Sequence, residues 1–209
     1  MDKGHTSVQV LIALLLFKLH CPECIHFTRG NHEARMFLKG RVRKQTIRQY
    51  DEEVYNLMVE VINEIPVAII LGHKVLFIHA GIDSPDLTID KMKAIPKGVD
   101  SEDHDLMSNL VWADPKDEDG LTESSAGLEF GPDISKAFLE RNNLDRIVRG
   151  HTSVHDGFAD QHDGRVITIW SAPTEGRGSY ANIDSSLVLH VEHFDAFPKF
   201  SEIEDWSVL

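Results

Sequence analysis

The sequence predicts an α/β fold, a β-sandwich with helices on its outer faces, from three observations. Stretches of strand and helix character interleave along most of the chain and then give way to a run of strands. Asn31, His79 and His151 each sit at the end of a predicted strand, where open sheets collect ligands. A length of 209 residues with 42% hydrophobic content makes one domain able to bury its own core.

Thr6 or Ser7 is placed to cap a helix running to about residue 19, with Val8, Leu11, Ile12, Leu15 and Leu19 on one face. Its apolar character runs nearly all round, which predicts deep packing. Pro22 ends it, and residues 25–28 read as a short buried strand. A helix begins at Glu33 and reaches about Gly40; a second, over 51–62, puts Val54, Leu57, Met58 and Val61 on its buried face. Between them Arg41, Arg43, Lys44 and Arg48 read as a solvated basic face. Residues 67–71 and 74–78 form a hairpin through Gly72-His73. The stretch 82–108, rich in Asp, Ser, Pro and Gly, predicts a surface excursion with a short helix near 89–94. A strand at 110–113, an acidic turn at 117–120 and a helix over 133–142 capped by Asp133 follow. Strands at 146–149, 157–160, 165–170 and 187–194 complete the set, with Asp163-Gly164 as a hairpin turn.

A net charge of −13 excludes nucleic acid and an anionic membrane as primary partners, because the phosphate-binding field is missing. The apolar run at 10–17 lacks a basic lead and a small-residue cleavage site and is too short to span a bilayer. A cytoplasmic or nuclear protein is the expectation. Cys21 and Cys24 follow a helix and precede a strand, the reverse of a thioredoxin-type pair. They read as incidental linker cysteines in a reducing compartment. Most of the twelve histidines, His20, His73 and His193 among them, have no motif around them and read as surface or core residues.

The chemistry gathers on one loop, Thr28-Arg29-Gly30-Asn31-His32-Glu33. It offers a glycine that turns the backbone, an amide oxygen, an imidazole and a carboxylate that can begin a helix. Asn31 with His79 and His151 makes a borderline donor set suited to manganese, iron or zinc.

Downstream come, in order, Phe77-Ile78-His79-Ala80-Gly81, Val111-Trp112-Ala113-Asp114-Pro115, Phe130-Gly131-Pro132-Asp133-Ile134, Val148-Arg149-Gly150-His151 and Trp170-Ser171-Ala172-Pro173. With the loop, this series resembles the phosphoprotein phosphatase family of calcineurin-like metallophosphoesterases, whose members are metal-dependent protein serine/threonine phosphatases. The resemblance runs over 2–198 and leaves 199–209 as a C-terminal tail. It implies a calcineurin-like metallophosphoesterase β-sandwich with flanking helices, lacking its first strands, because the family's two opening motifs would lie before residue 1.

By that resemblance Asn31, His79 and His151 match the ligands of one of the family's two metals, and Asn31 also faces the phosphate. His32 matches the general acid that protonates the departing serine or threonine oxygen, and Asp2 the carboxylate that orients it. Lys3 stands where the family has a phosphate-binding arginine, Ser124 where it has another, and Glu175 where it has a tyrosine. Lys3 keeps charge without the bidentate fork, and Glu175 repels a phosphate. With three neutral ligands and no bridging carboxylate, at most one weak metal site is expected. Asp83 and Asp114 read as structural or turn residues. The implied partners are a phosphoprotein substrate and a regulatory protein subunit. A pseudophosphatase, a binding or regulatory surface without turnover, is the rival expectation, favoured by Ser124 and Glu175.

Overall fold

The computed structural model describes residues 2, 6–173 and 176–195; Lys3, Glu175 and the tail 199–209 lie outside them. The helices are α1 (Ser7–His20), α2 (Arg35–Phe37), α3 (Arg43–Gln49), α4 (Glu52–Asn63), α5 (Ile89–Lys93), α6 (Asp105–Trp112) and α7 (Pro132–Arg141). The strands of the main sheet are β1 (Ala68–Leu71), β2 (Val75–Ile78), β6 (Arg146–Arg149), β7 (Phe158–Gln161) and β8 (Val166–Ile169), in the order β1-β2-β6-β8-β7. β2, β6 and β8 run parallel, and antiparallel hairpins flank them on both sides. A smaller sheet joins β3 (Asp114–Pro115), β4 (Leu121–Ser124) and β5 (Gly127–Phe130); a third pairs β9 (Arg177–Ile183) with β10 (Leu189–Asp195).

Alternation splits the main sheet into two faces. Leu76, Ile78, Ile147 and Val166 enter the principal core with Leu110 and Phe138 from the helices and Phe130 from β5, while Val75, Val148 and Ile167 form a second cluster on the opposite face. The β1–β2 hairpin turns as its Gly72-His73 predicts: both residues have φ of 58°, the left-handed pair that matches strand twist.

Several expectations are corrected. Helix α1 is not deeply packed: only Ser7, Val8 and Leu11 are buried, against Leu38, Val42, Tyr55, Met58 and Ile62, while Leu16, Phe17 and Leu19 stand in solvent. Thr6 precedes α1 but its hydroxyl caps nothing. Residues 25–28 form no ladder, because among the described residues the adjoining backbone contact is a single one, Arg29 N–H to the Pro66 carbonyl at 2.8 Å. The helix begun near Glu33 does not stop at Gly40 but bends there, at φ −81° and ψ −113°, through a π-helical turn (Leu38–Val42) into α3. Helix α4 is capped by Asp51, whose carboxylate accepts the Val54 N–H at 2.9 Å, and it buries Tyr55, Met58 and Ile62; Leu57 and Val61 are exposed.

The expected strand at 110–113 is the end of α6, where Met107, Leu110 and Val111 recur at helical spacing and His104 caps the first turn. Helix α7 is not capped by Asp133; its carboxylate takes the Gly120 N–H at 2.7 Å, and Asp119 reaches the Asp133 N–H at 3.3 Å. Cys21 and Cys24, read as unpaired linker cysteines, are joined in a disulfide across the turn after α1. No helix among the described residues is long and apolar enough to cross a membrane.

Candidate active site

The loop that opens the site is held from behind by a buried arginine. Arg29, fully shielded from solvent, sends Nη1 to the Ile62 carbonyl (2.9 Å), Nη2 to Asn63 Oδ1 (2.8 Å) and both Nε and Nη2 to the Glu33 carbonyl (3.2 and 2.8 Å), with Asp100 at 3.6 Å. Burial lowers its pKa, and the charges of Asp100 and Glu33 oppose that. In front of it Glu33 returns its carboxylate to the Gly30 N–H at 3.1 Å. A Cβ on Gly30 would lie 2.4 Å from that carboxylate and 3.2 Å from the His79 ring, so a side chain there would push the Glu33 carboxylate off the Gly30 N–H and crowd His79. Arg29→Met should cost about 3–5 kcal/mol, since it strips one partner from a buried charged network. Chemical denaturation reads this, and a loss under 1 kcal/mol would contradict it.

Asn31, His79 and His151 converge. The Asn31 amide oxygen lies 2.9 Å from His79 Nε2 and its amide nitrogen 3.2 Å from His151 Nε2, and the two imidazoles meet edge to face at 5.3 Å. His79 ends the segment after β2 and His151 the segment after β6, so parallel neighbouring strands deliver both to one edge. His32 and Asp2 form the second pair, Nδ1 to Oδ2 at 3.2 Å. The His32 ring stacks on Phe37 at 4.1 Å; Phe37 leads to Trp112 at 6.1 Å, and Trp112 meets His151 edge-on at 5.7 Å. Aromatic contacts thus run from the candidate acid to the candidate metal ligands.

One residue does more than its sequence reading allows. Asp114, expected to be structural, holds His151 Nδ1 at 2.9 Å, the Thr152 hydroxyl at 2.7 Å and Arg149 Nη2 at 2.5 Å, all on Oδ1. Burial pushes its carboxyl up, but the hydrogen bonds from His151 and Thr152 and the charge of Arg149 outweigh burial and bring it to about 2. The network places the His151 proton on Nδ1, which leaves Nε2 a lone pair toward Asn31. A carboxylate behind a histidine is the usual way to fix a ligating tautomer, and Asp114 sits in the quoted Trp112-to-Pro115 motif.

His79 is half-buried, and its desolvation, with the nearby charges of His151 and Arg149, lowers its pKa from 6.5 to about 3. The unfolded chain therefore binds more protons between those values, so this part of the stability is full above pH 6.5 and is lost as pH falls toward 3. Asp114 adds a loss of the same sign between 3.8 and about 2. The thermal midpoint should drop on acidification from pH 7 to pH 4, and His79→Gln should flatten that slope. A midpoint constant over this range would rule the linkage out.

Three neutral donors meeting at one point fit a single divalent ion, with Asp114 as the support behind His151. Among the described residues no group of three or more His, Cys, Asp or Glu side chains is arranged to hold a metal, so no carboxylate joins the set. Ser124 is exposed at the end of β4, where its hydroxyl donates to the Gly127 carbonyl (3.0 Å) and accepts the Ala126 N–H (3.2 Å). It closes its own hairpin tip.

Residues 2–155 match the family model of calcineurin-like phosphoesterases. The chain belongs to the calcineurin-like phosphoesterase family. Serine/threonine-protein phosphatase 5 of Homo sapiens is 35% identical over 97% of this chain and 41% of the relative. Serine/threonine-protein phosphatase T of Aspergillus oryzae is 32% identical over 95% of this chain and 44% of the relative. A protein serine/threonine phosphatase from Saccharomyces cerevisiae with similarity to human phosphatase PP5 superposes with a TM-score of 0.89 at 25% identity, over 95% of this chain and 69% of that one. This phosphoesterase chain thus has the α/β fold of a phosphatase and spans about two fifths of the curated relatives it matches.

Proposed function

We propose that this chain carries the acid and one metal-binding face of a protein serine/threonine phosphatase site, acting on phosphoserine and phosphothreonine in protein substrates. The observation that supports it is the juxtaposition of His32–Asp2 with Asn31, His79 and His151 around one sheet edge. The relatives named as serine/threonine-protein phosphatases favour this over a small-molecule phosphoesterase. Asn31, His79 and His151 would hold a divalent ion, manganese, iron or zinc, which supplies Lewis acidity toward the phosphoryl oxygens and activates water. Asp2 holds the His32 imidazole, and His32 gives a proton to the departing serine or threonine oxygen. In the present network the His79 Nε2–H faces the Asn31 oxygen, so ligation calls for the other tautomer. A pseudophosphatase is the second reading, supported by the lack of a carboxylate in the donor set among the described residues and by Ser124, whose exposed hydroxyl bonds only its own hairpin tip.

Equilibrium dialysis against manganese should find one weak equivalent, removed by Asn31→Ala or His151→Ala. Two equivalents retained through dialysis would defeat the one-site assignment. Hydrolysis of a phosphoserine peptide by a form extended upstream, lost with His32→Ala, would support the phosphatase reading; an inactive extended form would favour the pseudophosphatase.

A further inference from the structure

Away from this site the fold leaves a half-open cavity of about 490 Å³ between β1, α4 and α5. Ala68 and Ile70 of β1 line it, with Leu76 of β2 and Met92 of α5. Leu76 and Met92 are almost wholly shielded. No aromatic side chain lines the cavity, so it offers no stacking surface for a nucleobase and suits aliphatic groups.

The cavity lies beside an open strand. Among the described residues β1 pairs only with β2 and is the outer strand of its sheet. Ala68 and Ile70 point to the same face, so a strand added to β1 would aim alternate side chains into the cavity. The far rim is cationic: Lys97 forms no ion pair among the described residues and Lys93 has only a 3.8 Å contact with Asp90, in a chain whose net charge is −13. Glu64 also lines the cavity, and its carboxylate lies near Gly98, the residue after Lys97, so a docking carboxylate is received by the two ammoniums against one acidic neighbour.

We propose that the β1 edge and this cavity form a docking site for an extended segment of a partner protein, with an aliphatic side chain in the cavity and a carboxylate side chain at Lys93 and Lys97. Main-chain pairing to β1 supplies affinity; the cavity and the two ammoniums select the sequence. The site abuts the catalytic loop, because Asn63 lines the cavity and accepts Arg29 Nη2, and Pro66, also on its wall, accepts the Arg29 N–H. A docked segment thus presses on the residues that hold the Gly30-to-Glu33 turn. This goes beyond the phosphatase reading, since it needs no turnover.

The test pans a phage-displayed random heptapeptide library against the whole chain, with K93E/K97E as the counter-target. Enriched peptides should alternate aliphatic with polar residues and carry Asp or Glu at one fixed offset. The best of them should slow amide exchange at 68–71 and bind K93E/K97E about tenfold more weakly. Replacing its acid by lysine should restore binding to that variant. K97E alone repeats the comparison if the double variant melts lower. Failure to enrich any peptide, equal binding to both chains, or no protection at 68–71 would overturn the proposal. So would sedimentation showing that copies of this chain pair with each other through β1. No phosphoester is cleaved in the assay, so its failure and that of the phosphatase reading are separable.

Discussion

Residues 1–209 assayed on a phosphoserine peptide in manganese buffer are expected to show no hydrolysis above the buffer alone. On the proposed reading three neutral donors would hold one ion weakly, and among the described residues no carboxylate stands by to bridge a second. Where the family resemblance expects an arginine, Ser124 turns into its own hairpin. Losing one preorganised charge-stabilising donor typically costs about 10²–10³ in rate, so the missing clamp alone is expected to lower turnover far below the family's level. On the proposed roles His32 and Asp2 would still move a proton, but a weakly held single ion would leave that proton with no well-positioned nucleophile to assist. The comparison takes this chain, a form extended upstream, and that form carrying S124R with E175Y. Robust hydrolysis by the 209-residue chain, abolished by His32→Ala, would refute the expectation.

The same chain, purified alone, is expected to melt broadly and to bind a hydrophobic dye below its transition. Leu16, Phe17 and Leu19 of α1 are 61%, 62% and 77% exposed. Leaving three such side chains in water forgoes about 5–9 kcal/mol at about 1.5–3 kcal/mol each, comparable with the whole stability of a domain. Elsewhere β9 and β10 form a sheet of only two strands among the described residues, an arrangement marginal on its own. Residues 25–28 join no strand ladder. Leu16→Glu with Leu19→Glu should suppress dye binding without lowering the midpoint. A sharp cooperative transition of the unmodified monomer would show that α1 needs no cover.

Much of this was legible in the residues. The Gly72-His73 hairpin, the strand ending at Arg149 and the helix over 89–93 follow from turn chemistry and period alone. The α6 segment failed because Leu110-Val111-Trp112 is equally apolar as strand or helix; the His104 cap decided it, and a histidine cap is a weak signal. The burial of α1 failed for another reason: an all-round apolar helix says that it wants cover and not whether the cover is there. At the site, His79 and His151 announced themselves by following strands and Asn31 by its Gly-Asn-His-Glu loop, whereas the Asp114 role was hidden by long-range pairing with residues 149–152. The Arg29 network was equally silent, since its partners are mostly backbone carbonyls and carry no sequence signature.

The crowding of Arg149, His151 and Thr152 onto a single oxygen of Asp114 also constrains how this chain can drift. Any first step at position 114 that loses the charge strands the guanidinium of Arg149, whose side chain is 1% exposed, and at once frees the tautomer of His151. Replacement of Arg149 first leaves the carboxylate with fewer donors, but its bonds to His151 and Thr152 persist. The two orders of substitution are therefore unequal. In a saturation library, survivors altered at 114 should nearly always carry a second change at 149, whereas survivors altered at 149 should retain the aspartate.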